Sequence, residues 1–197
     1  MSTSEKTAFW IVTGAASGIG AAVVRAARRS GANVLALDID EDKGSALARS
    51  TGALFMHCDI SDNAHWQQLI EFLNSSKAEF GPPTHIHLNA GIQIAPPDAP
   101  LSDYQLEAVT LERYRRMMSV NVDGVVFGLQ SLLPLLSAGA AIVVTASLAG
   151  VTPYSIDPLY AMSKHAVVGL VRSLAPELST RGINIHALCP GAVDTAI

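Results

Sequence analysis

The chain has few charged residues and few cysteines. Lys, Arg, Asp and Glu make up 15% of its 197 residues and hydrophobic residues 49%, which argues against intrinsic disorder. The formal net charge of −4 provides no basic surface, so neither nucleic acid nor anionic lipid is an expected partner. Cys58 and Cys189 cannot build a disulfide framework or a structural zinc site. We expect two reduced thiols in a cytoplasmic protein.

Targeting and metal signals are also missing. The N-terminal residues lack a basic region followed by a long apolar run, so no signal peptide is expected. Residues 124–156 carry no charge and are long enough to span a bilayer. However, Pro, Gly and Ser interrupt them and the pattern changes midway from helix to strand, so no membrane helix is predicted. None of the six histidines lies at metal-ligand spacing from another ligand, and no metal site is expected.

Short apolar runs alternate with helical patterns along the whole chain. The predicted strands are residues 8–12, 33–38, 53–58, 85–89, 140–146 and 183–188. The predicted helices are 19–30, 41–50, 62–77 behind a Ser61 cap, 111–136 and 158–180. Uniformly apolar strands separated by helices predict an α/β fold, a doubly wound parallel sheet in a three-layer αβα arrangement. Residues 92–106 are expected to form a long irregular loop.

A glycine-rich turn, residues 13–20, follows the first predicted strand and opens the first helix. In such a turn, backbone N–H groups and the positive end of the helix dipole face an anion. Glycines allow the tight turn and the close approach of a pyrophosphate. No lysine follows the last glycine, which excludes a triphosphate-binding P-loop. The strand-to-helix placement favours a dinucleotide site over a glycine-rich turn without a ligand.

The spacing Gly14-x-x-x-Gly18-x-Gly20 resembles the dinucleotide loop of the short-chain dehydrogenase/reductase family. Further matches follow in the family's order: Asp59-Ile60, Asn89-Ala90-Gly91, Val120-Asn121-Val122, Ser147, Tyr160-x-x-x-Lys164 and Pro190-Gly191. Each is weak alone, but seven in order are specific. The resemblance implies one NAD-binding, Rossmann-like domain over residues 1–197. The family's substrate lid and last strand would come after Ile197.

The last predicted strand would lie at an edge of the sheet if nothing followed Ile197. An uncovered apolar edge strand invites pairing with other chains. Either a partner covers it or the natural chain continues, and we favour the second.

Asp38 indicates which dinucleotide is bound. It ends the second strand about twenty residues beyond the loop, where a carboxylate binds an adenosine ribose and repels a 2′-phosphate. Ser17 and Ile39 stand where NADP-preferring relatives usually carry a basic residue, so NAD is expected. The alternative is an ordinary solvated aspartate. The resemblance implies further cofactor contacts at Gly14, Ser17, Gly18, Ile19, Gly20, Asp59, Ile60, Asn89, Ala90, Gly91, Tyr160, Lys164, Pro190, Gly191, Val193 and Thr195.

Tyr160 and Lys164 share one face of a predicted helix. A nearby ammonium favours the phenolate, and we expect it to lower the pKa of Tyr160 towards the working pH of an acid/base. Any helix can carry this pair by chance. Ser147 strengthens the prediction, because it follows a buried strand at the end where open α/β sheets bind ligands. It lies thirteen residues before Tyr160, the family spacing, although Ala146 replaces the frequent first serine.

The resemblance implies hydride transfer between a secondary alcohol or ketone and nicotinamide C4. Ser147 would hold the reacting oxygen, Tyr160 would be the acid/base and Lys164 would bind the nicotinamide ribose. Asn121 would bend its helix and hold a water near Lys164; the alternative is a core asparagine that only packs. The resemblance also implies a homotetramer or dimer packed through helices 111–136 and 158–180. Candidates for the substrate pocket are Gln93, Leu148, Tyr154 and Ala192.

Two other functions are alternatives to this oxidoreductase. A non-catalytic NAD-binding regulator could use the same scaffold, but it has no physical need of Asn121, Ser147, Tyr160 and Lys164 together. A sugar-nucleotide epimerase would need a differently spaced glycine loop and a larger C-terminal domain.

Overall fold

The computed structural model describes residues 7–96 and 98–193. The strands in these ranges are β1 (Phe9–Thr13), β2 (Asn33–Asp38), β3 (Leu54–His57), β4 (His85–Leu88), β5 (Ala141–Thr145) and β6 (Asn184–Leu188). The α-helices are α1 (Gly18–Arg29), α2 (Glu41–Thr51), α3 (Asn63–Ser75), α4 (Lys77–Phe80), α5 (Leu111–Met118), α6 (Gly124–Leu132) and α7 (Pro158–Thr180). Each predicted strand and helix is present with ends shifted by up to two residues, except the helix predicted over residues 111–136, which is divided into several segments.

The six strands form one parallel sheet in the order β3-β2-β1-β4-β5-β6. The chain builds outwards from β1 to β3 and then crosses back to place β4 on the other side of β1. In such sheets the carboxyl ends of the strands at the reversal leave a crevice that binds ligands. The doubly wound, Rossmann-like prediction is confirmed.

Helices cover the sheet on both faces. Helices α1 and α2 pack on one face, where Val12, Val34 and Ala36 are buried with Val24 of α1. Helices α3, α6 and α7 pack on the other face, where Ile11, Leu35, Ile142 and Val144 form a larger core with the buried side chains of those helices. This arrangement is the predicted three-layer αβα architecture.

The predicted helix over residues 111–136 is interrupted. After α5 the turn Ser119–Asp123 is a π-helix, α6 follows, and Leu133–Leu135 closes as a 3-10 turn. By length and mean hydropathy, Leu111–Leu135 could cross a membrane, but it contains three arginines and packs its apolar side chains against the sheet. The second half of the uncharged stretch contains β5, a central strand.

The cap predicted for α3 was wrong. Asp62, not Ser61, caps this helix, and its carboxylate accepts a hydrogen bond from the N–H of Ala64 at 2.8 Å. The hydroxyl of Ser61 instead donates to Oδ1 of Asp59 at 2.7 Å. The long loop after β4 is also less irregular than predicted, because residues Leu101–Tyr104 form a 3-10 turn.

Candidate active site

The glycine loop between β1 and α1 leaves no room for a side chain at Gly14 or Gly20. Gly14 and Gly18 have φ values of +60° and +48°, a conformation that favours glycine. A Cβ at Gly20 would lie 2.1 Å from the carbonyl oxygen of Gly14, and one at Gly14 would lie 2.7 Å from Cα of Ala90. Ser17 and Gly18 are exposed. The loop therefore packs tightly on the end of β4 and presents bare backbone at the start of α1.

Asp38 is held against this loop. Its Oδ2 accepts a hydrogen bond from the N–H of Ala16 at 2.8 Å, and its Oδ1 accepts one from Asp40 at 2.9 Å. The carboxylate is therefore fixed beside the phosphate loop and differs from a solvated aspartate. An open depression next to it is lined by Ile39, Asp40, Glu41, Asp42, Ser45 and Arg49.

The residues after β3 are only partly available to a ligand. Oδ1 of Asp59 accepts hydrogen bonds from the N–H and hydroxyl of Ser61. Ile60 is buried, and a Cβ at Gly124 would lie 2.6 Å from its Cδ1. The Ile60 side chain therefore belongs to the core, and its backbone is what remains for contact with an adenine.

A buried polar network, which the sequence did not predict, joins the ends of β1, β4 and β5. The N–H groups of Asn89 and Ala90 donate to Oγ1 of Thr13 at 2.9 and 3.2 Å. Thr145 donates its hydroxyl to Oδ1 of Asn89 at 3.0 Å and lies 2.8 Å from Nε2 of His87. Because Thr145 has one hydroxyl proton, His87 must donate from Nε2. Burial lowers the pKa of His87 to about 4, so this histidine is neutral.

Lys164 is a buried ammonium. It is 3% exposed, and its Nζ donates to the carbonyl oxygen of Thr145 at 3.0 Å. In the described ranges no carboxylate pairs with it. Burial lowers the pKa of Lys164 to about 8. Since an ammonium has three donors, two N–H groups of Lys164 remain for a ligand.

Tyr160 differs from the prediction in its acidity. Burial raises its pKa, a hydrogen bond with Ser147 opposes this increase, and Tyr154 and Asp157 add to it. Nζ of Lys164 lies 5.5 Å from the centre of the Tyr160 ring, over the face of the ring. The expected lowering of the phenol pKa by Lys164 is therefore not found in this arrangement, where desolvation of the phenolate has the largest effect on the pKa.

Ser147 and Asp157 fix the surroundings of the phenol. Ser147 begins a short 3-10 turn after β5, and its hydroxyl oxygen accepts from the N–H of Ala149 at 3.2 Å. Asp157 is fully buried and caps α7 by accepting from the N–H of Tyr160 at 2.8 Å. These two contacts position both ends of the Ser147–Tyr160 pair.

Asn121 lies in the π turn, at the predicted bend of the helix. Its amide group donates to and accepts from the backbone of Ile92, each at 2.8 Å, and also donates to the Ser163 hydroxyl at 3.1 Å. Ser163 in turn donates to the carbonyl oxygen of Tyr160 at 2.7 Å. A Cβ at Gly91 would lie 3.0 Å from Nζ of Lys164 and 3.3 Å from Oδ1 of Asn121. Asn121 is therefore tied to α7, the helix that carries Tyr160 and Lys164, and Ser163 is a member of the candidate site that sequence reasoning missed.

Some of the predicted site residues, Asn121 not among them, line a cleft of about 400 Å³ at the carboxyl ends of β4, β5 and β6. Its lining includes Ile19, Asn89, Gly91, Ser147, Tyr160, Lys164, Pro190, Gly191 and Val193, together with the pocket candidates Gln93, Leu148, Tyr154 and Ala192. Gly14, Ser17, Gly18, Gly20, Asp38, Asp59, Ile60 and Ala90 do not line the cleft itself; they follow β1 to β4 at the same edge of the sheet. Thr195 lies outside the described residues.

Neither cysteine is among the described residues that line this cleft. Cys58 and Cys189 are free thiols, and burial raises the pKa of Cys58 to about 12. Across residues 7–96 and 98–193, no three His, Cys, Asp or Glu side chains are grouped so as to hold a metal ion.

Comparisons with known proteins agree with this geometry. Residues 8–197 match the family model described as short chain dehydrogenase. A 2,5-dichloro-2,5-cyclohexadiene-1,4-diol dehydrogenase of Sphingobium indicum is 37% identical over 190 residues, which cover 94% of this chain and 72% of the relative. A short-chain dehydrogenase/reductase of Burkholderia phymatum solved with NAD has a TM-score of 0.86 and 28% identity, covering 98% of this chain and 68% of that chain. A 3-ketoacyl-(acyl-carrier-protein) reductase of Brucella melitensis solved with NADH has a TM-score of 0.85 and 28% identity, covering 98% and 78%.

Proposed function

Since the chain belongs to the short-chain dehydrogenase/reductase family, we propose that it is an NAD-dependent oxidoreductase acting on a secondary alcohol or ketone. The observation that carries the proposal is the convergence of Ser147, Tyr160 and Lys164 on one cleft, with Asn121 tied to the same helix. A protein that only bound the dinucleotide would have no need of a hydrogen-bonded hydroxyl pair beside a buried ammonium. We therefore favour an enzyme over a binding-only regulator.

The residues of this chain fit a dinucleotide. The bare backbone of Gly14, Gly18 and Gly20 at the start of α1 suits a pyrophosphate. Asp38 would bind the adenosine ribose, and the two uncommitted donors of Lys164 would bind the nicotinamide ribose. When bound, the cofactor accepts or supplies the hydride at nicotinamide C4. The relatives solved with NAD and with NADH support this choice of cofactor.

Asp38 and its neighbours favour NAD over NADP. The Asp38 carboxylate is held in place by two backbone N–H groups. The open depression beside it carries three further acidic residues, Asp40, Glu41 and Asp42, against Arg49 and the Lys43 ammonium that pairs with Asp40. A 2′-phosphate placed there would meet an excess of negative charge.

Tyr160 moves the proton and Ser147 holds the reacting oxygen. Because the pKa of Tyr160 is raised, its phenol is protonated at neutral pH and can donate to a carbonyl oxygen during reduction. During oxidation the phenol must first lose its own proton so that the phenolate can accept the proton of the alcohol, and any positive charge held beside the ring assists this step by stabilising the phenolate. Asn121 and Ser163 keep the backbone of Tyr160 in position.

A ring alcohol is the substrate class that we propose. The side chains at the outer end of the cleft include Leu148, Pro153, Tyr154, Ala192 and Val193, which offer an apolar wall to a carbocycle. The Sphingobium indicum relative is named for a cyclohexadiene diol. The expected tetramer and cytoplasmic location stay predictions.

The test is turnover of a panel of cyclic and open-chain secondary alcohols with NAD and with NADP. We expect NAD-dependent oxidation of ring alcohols, and loss of turnover in Tyr160→Phe with cofactor affinity largely kept. Tyr114→Phe, on α5 outside the cleft, is the matched control. Full activity in Tyr160→Phe would contradict the proposed acid/base, and turnover with NADP equal to that with NAD would contradict the role of Asp38.

A further inference from the structure

The loop that follows β4 is held at nearly every residue by side chains from other elements. Asn121 binds both the N–H and the carbonyl oxygen of Ile92, each at 2.8 Å. Oδ2 of the buried Asp157 accepts from the N–H of Ile94 at 3.1 Å, and Nε of Arg113 donates to the carbonyl oxygen of Ile94 at 3.1 Å. The backbone on either side of residue 93 is therefore fixed from two directions.

The next residues of the loop are held as well. The hydroxyl of the buried Tyr104 donates to the carbonyl oxygen of Pro96 at 2.5 Å. Nη2 of Arg113 donates to the carbonyl oxygen of Asp103 at 2.8 Å, which ties the 3-10 turn to α5. Residues 92–96 are thus an irregular segment with the rigidity of a regular element, which is what a precise binding contact requires.

Gln93 is the residue that this rigid segment presents to the cleft. Its side chain lines the cleft together with Ser147 and Tyr160. Two other polar side chains there are already used: Asn89 donates to the carbonyl oxygen of Gly14 and Thr152 donates to that of Leu148. The hydroxyl of Tyr154, which also lines the cleft, is the other candidate for a second substrate oxygen. Nothing in the described part of the chain hydrogen-bonds the Gln93 amide, which leaves its donors and its acceptor for a ligand.

The charges of the side chains around the cleft limit which groups the Gln93 amide can recognise. Among the described lining residues, Lys164 is the only charged side chain, and it is buried and bound to Thr145. A substrate carboxylate calls for an arginine or a free lysine, which is not found among the described residues of the outer cleft. A neutral amide both donates and accepts, so it suits a hydroxyl or a carbonyl oxygen.

We infer that Gln93 is a specificity-determining residue that hydrogen-bonds a second, uncharged oxygen of the substrate, away from the carbon that is oxidised. The substrate class is then a secondary alcohol that carries a further hydroxyl or keto group. This inference rests on the proposed function, because the second oxygen is defined relative to the alcohol held by Ser147 and Tyr160.

The test compares cyclohexanol with the 1,2-, 1,3- and 1,4-cyclohexanediols and with 4-hydroxycyclohexanecarboxylate. For each, kcat/KM is measured with NAD in the wild type and in Gln93→Leu, which keeps the size of the side chain without its amide. The readout is the ratio of kcat/KM for the best diol to that for cyclohexanol. We expect this ratio to fall about tenfold in Gln93→Leu, the effect of one lost hydrogen bond. The carboxylate should be a poorer substrate of the wild type than the diol.

Two control variants make the result specific. Gln68→Leu, on the exposed side of α3, should leave the ratio unchanged. Tyr154→Phe removes the hydroxyl of the tyrosine that packs edge-on against Tyr160 with ring centres 6.3 Å apart. If Tyr154→Phe lowers the ratio and Gln93→Leu does not, the inference is wrong. An unchanged ratio in all variants also overturns it, as does a wild type that prefers the carboxylate. Failure of the proposed function looks different, since the wild type would then oxidise none of these alcohols, cyclohexanol included.

Discussion

Replacing Lys164 with methionine should make the protein inactive and more stable at the same time. The ammonium is buried, has no carboxylate partner in the described ranges and hydrogen-bonds one carbonyl oxygen. Its pKa falls from 10.5 to about 8 because of burial. At roughly 1.4 kcal/mol for each pKa unit, holding the charged form in the fold costs about 3 kcal/mol.

Methionine has a similar length and no charge to desolvate. It loses the hydrogen bond to Thr145, a loss of about 1 kcal/mol, so the net gain in the free energy of unfolding at pH 7 is about 2 kcal/mol. For a chain of this size that corresponds to a rise in Tm of roughly 4–8 °C. The same variant should lose turnover and bind NAD more weakly. Thermal and denaturant unfolding of both proteins, with a turnover assay, measure the two effects together.

The difference in stability between the wild type and Lys164→Met should depend on pH. Below about pH 8 the lysine is protonated in both states, and the wild type carries the full cost. Between about pH 8 and 10.5 the folded protein releases the proton while the unfolded chain keeps it, so the wild type becomes more stable relative to the variant. The difference in stability should therefore narrow with rising pH. Lys77→Met, at an exposed position, is the control. A variant that is less stable than the wild type at pH 7, or a difference that does not narrow, would refute the reasoning.

Two further predictions concern buried groups that do no chemistry. Asp157→Ala should lower the free energy of unfolding by about 2–4 kcal/mol, because α7 loses its cap and the N–H of Ile94 loses its acceptor. Asp62→Ala removes an exposed cap and should lower the free energy of unfolding less in the same denaturant titration. Equal losses in the two variants would argue against the role of burial. His87 should make the fold sensitive to acid, because its pKa in the folded protein is lowered to about 4, whereas the unfolded chain takes up the proton near pH 6.5. The free energy of unfolding should therefore fall by about 3 kcal/mol between pH 6.5 and 4. His87→Gln should flatten that part of the stability curve measured by urea unfolding, and an unchanged slope would refute this account.

The order of elements was predictable because the strands of a doubly wound sheet are short, uniformly apolar runs, and β1, β2 and β5 have such sequences. The positions of Tyr160 and Lys164 on one helix face also followed from their spacing. The cap of α3 could not be predicted from the sequence, because Ser61 and Asp62 are both good capping residues and only the path of the chain decides between them. The family resemblance implied a bend at Asn121, but its form as a π turn was hidden, since one extra residue in a long apolar helix leaves its hydrophobic pattern almost unchanged.

Other features depended on contacts between distant parts of the chain. The pair of His87 and Thr145 joins residues 58 positions apart, and no local pattern marks it beyond two polar residues inside apolar strands. The acidity of Tyr160 was predicted with the wrong sign because its spacing from Lys164 shows a neighbouring charge but not the burial of the phenol. Sequence could identify the reacting groups, but their electrostatic surroundings follow from packing.

In the loop after β4, the residues that hold the main chain differ from the residue that we infer to select the substrate. Asn121, Asp157, Arg113 and Tyr104 hydrogen-bond the main chain of the loop, and none of them hydrogen-bonds the side chain at position 93. A mutation of that one codon can therefore alter which molecules the cleft selects while the proton-transfer groups stay in register. Saturation mutagenesis of residue 93 should be a short route to new selectivities, and drift at this position offers a natural path by which paralogues of one ancestor come to process different compounds.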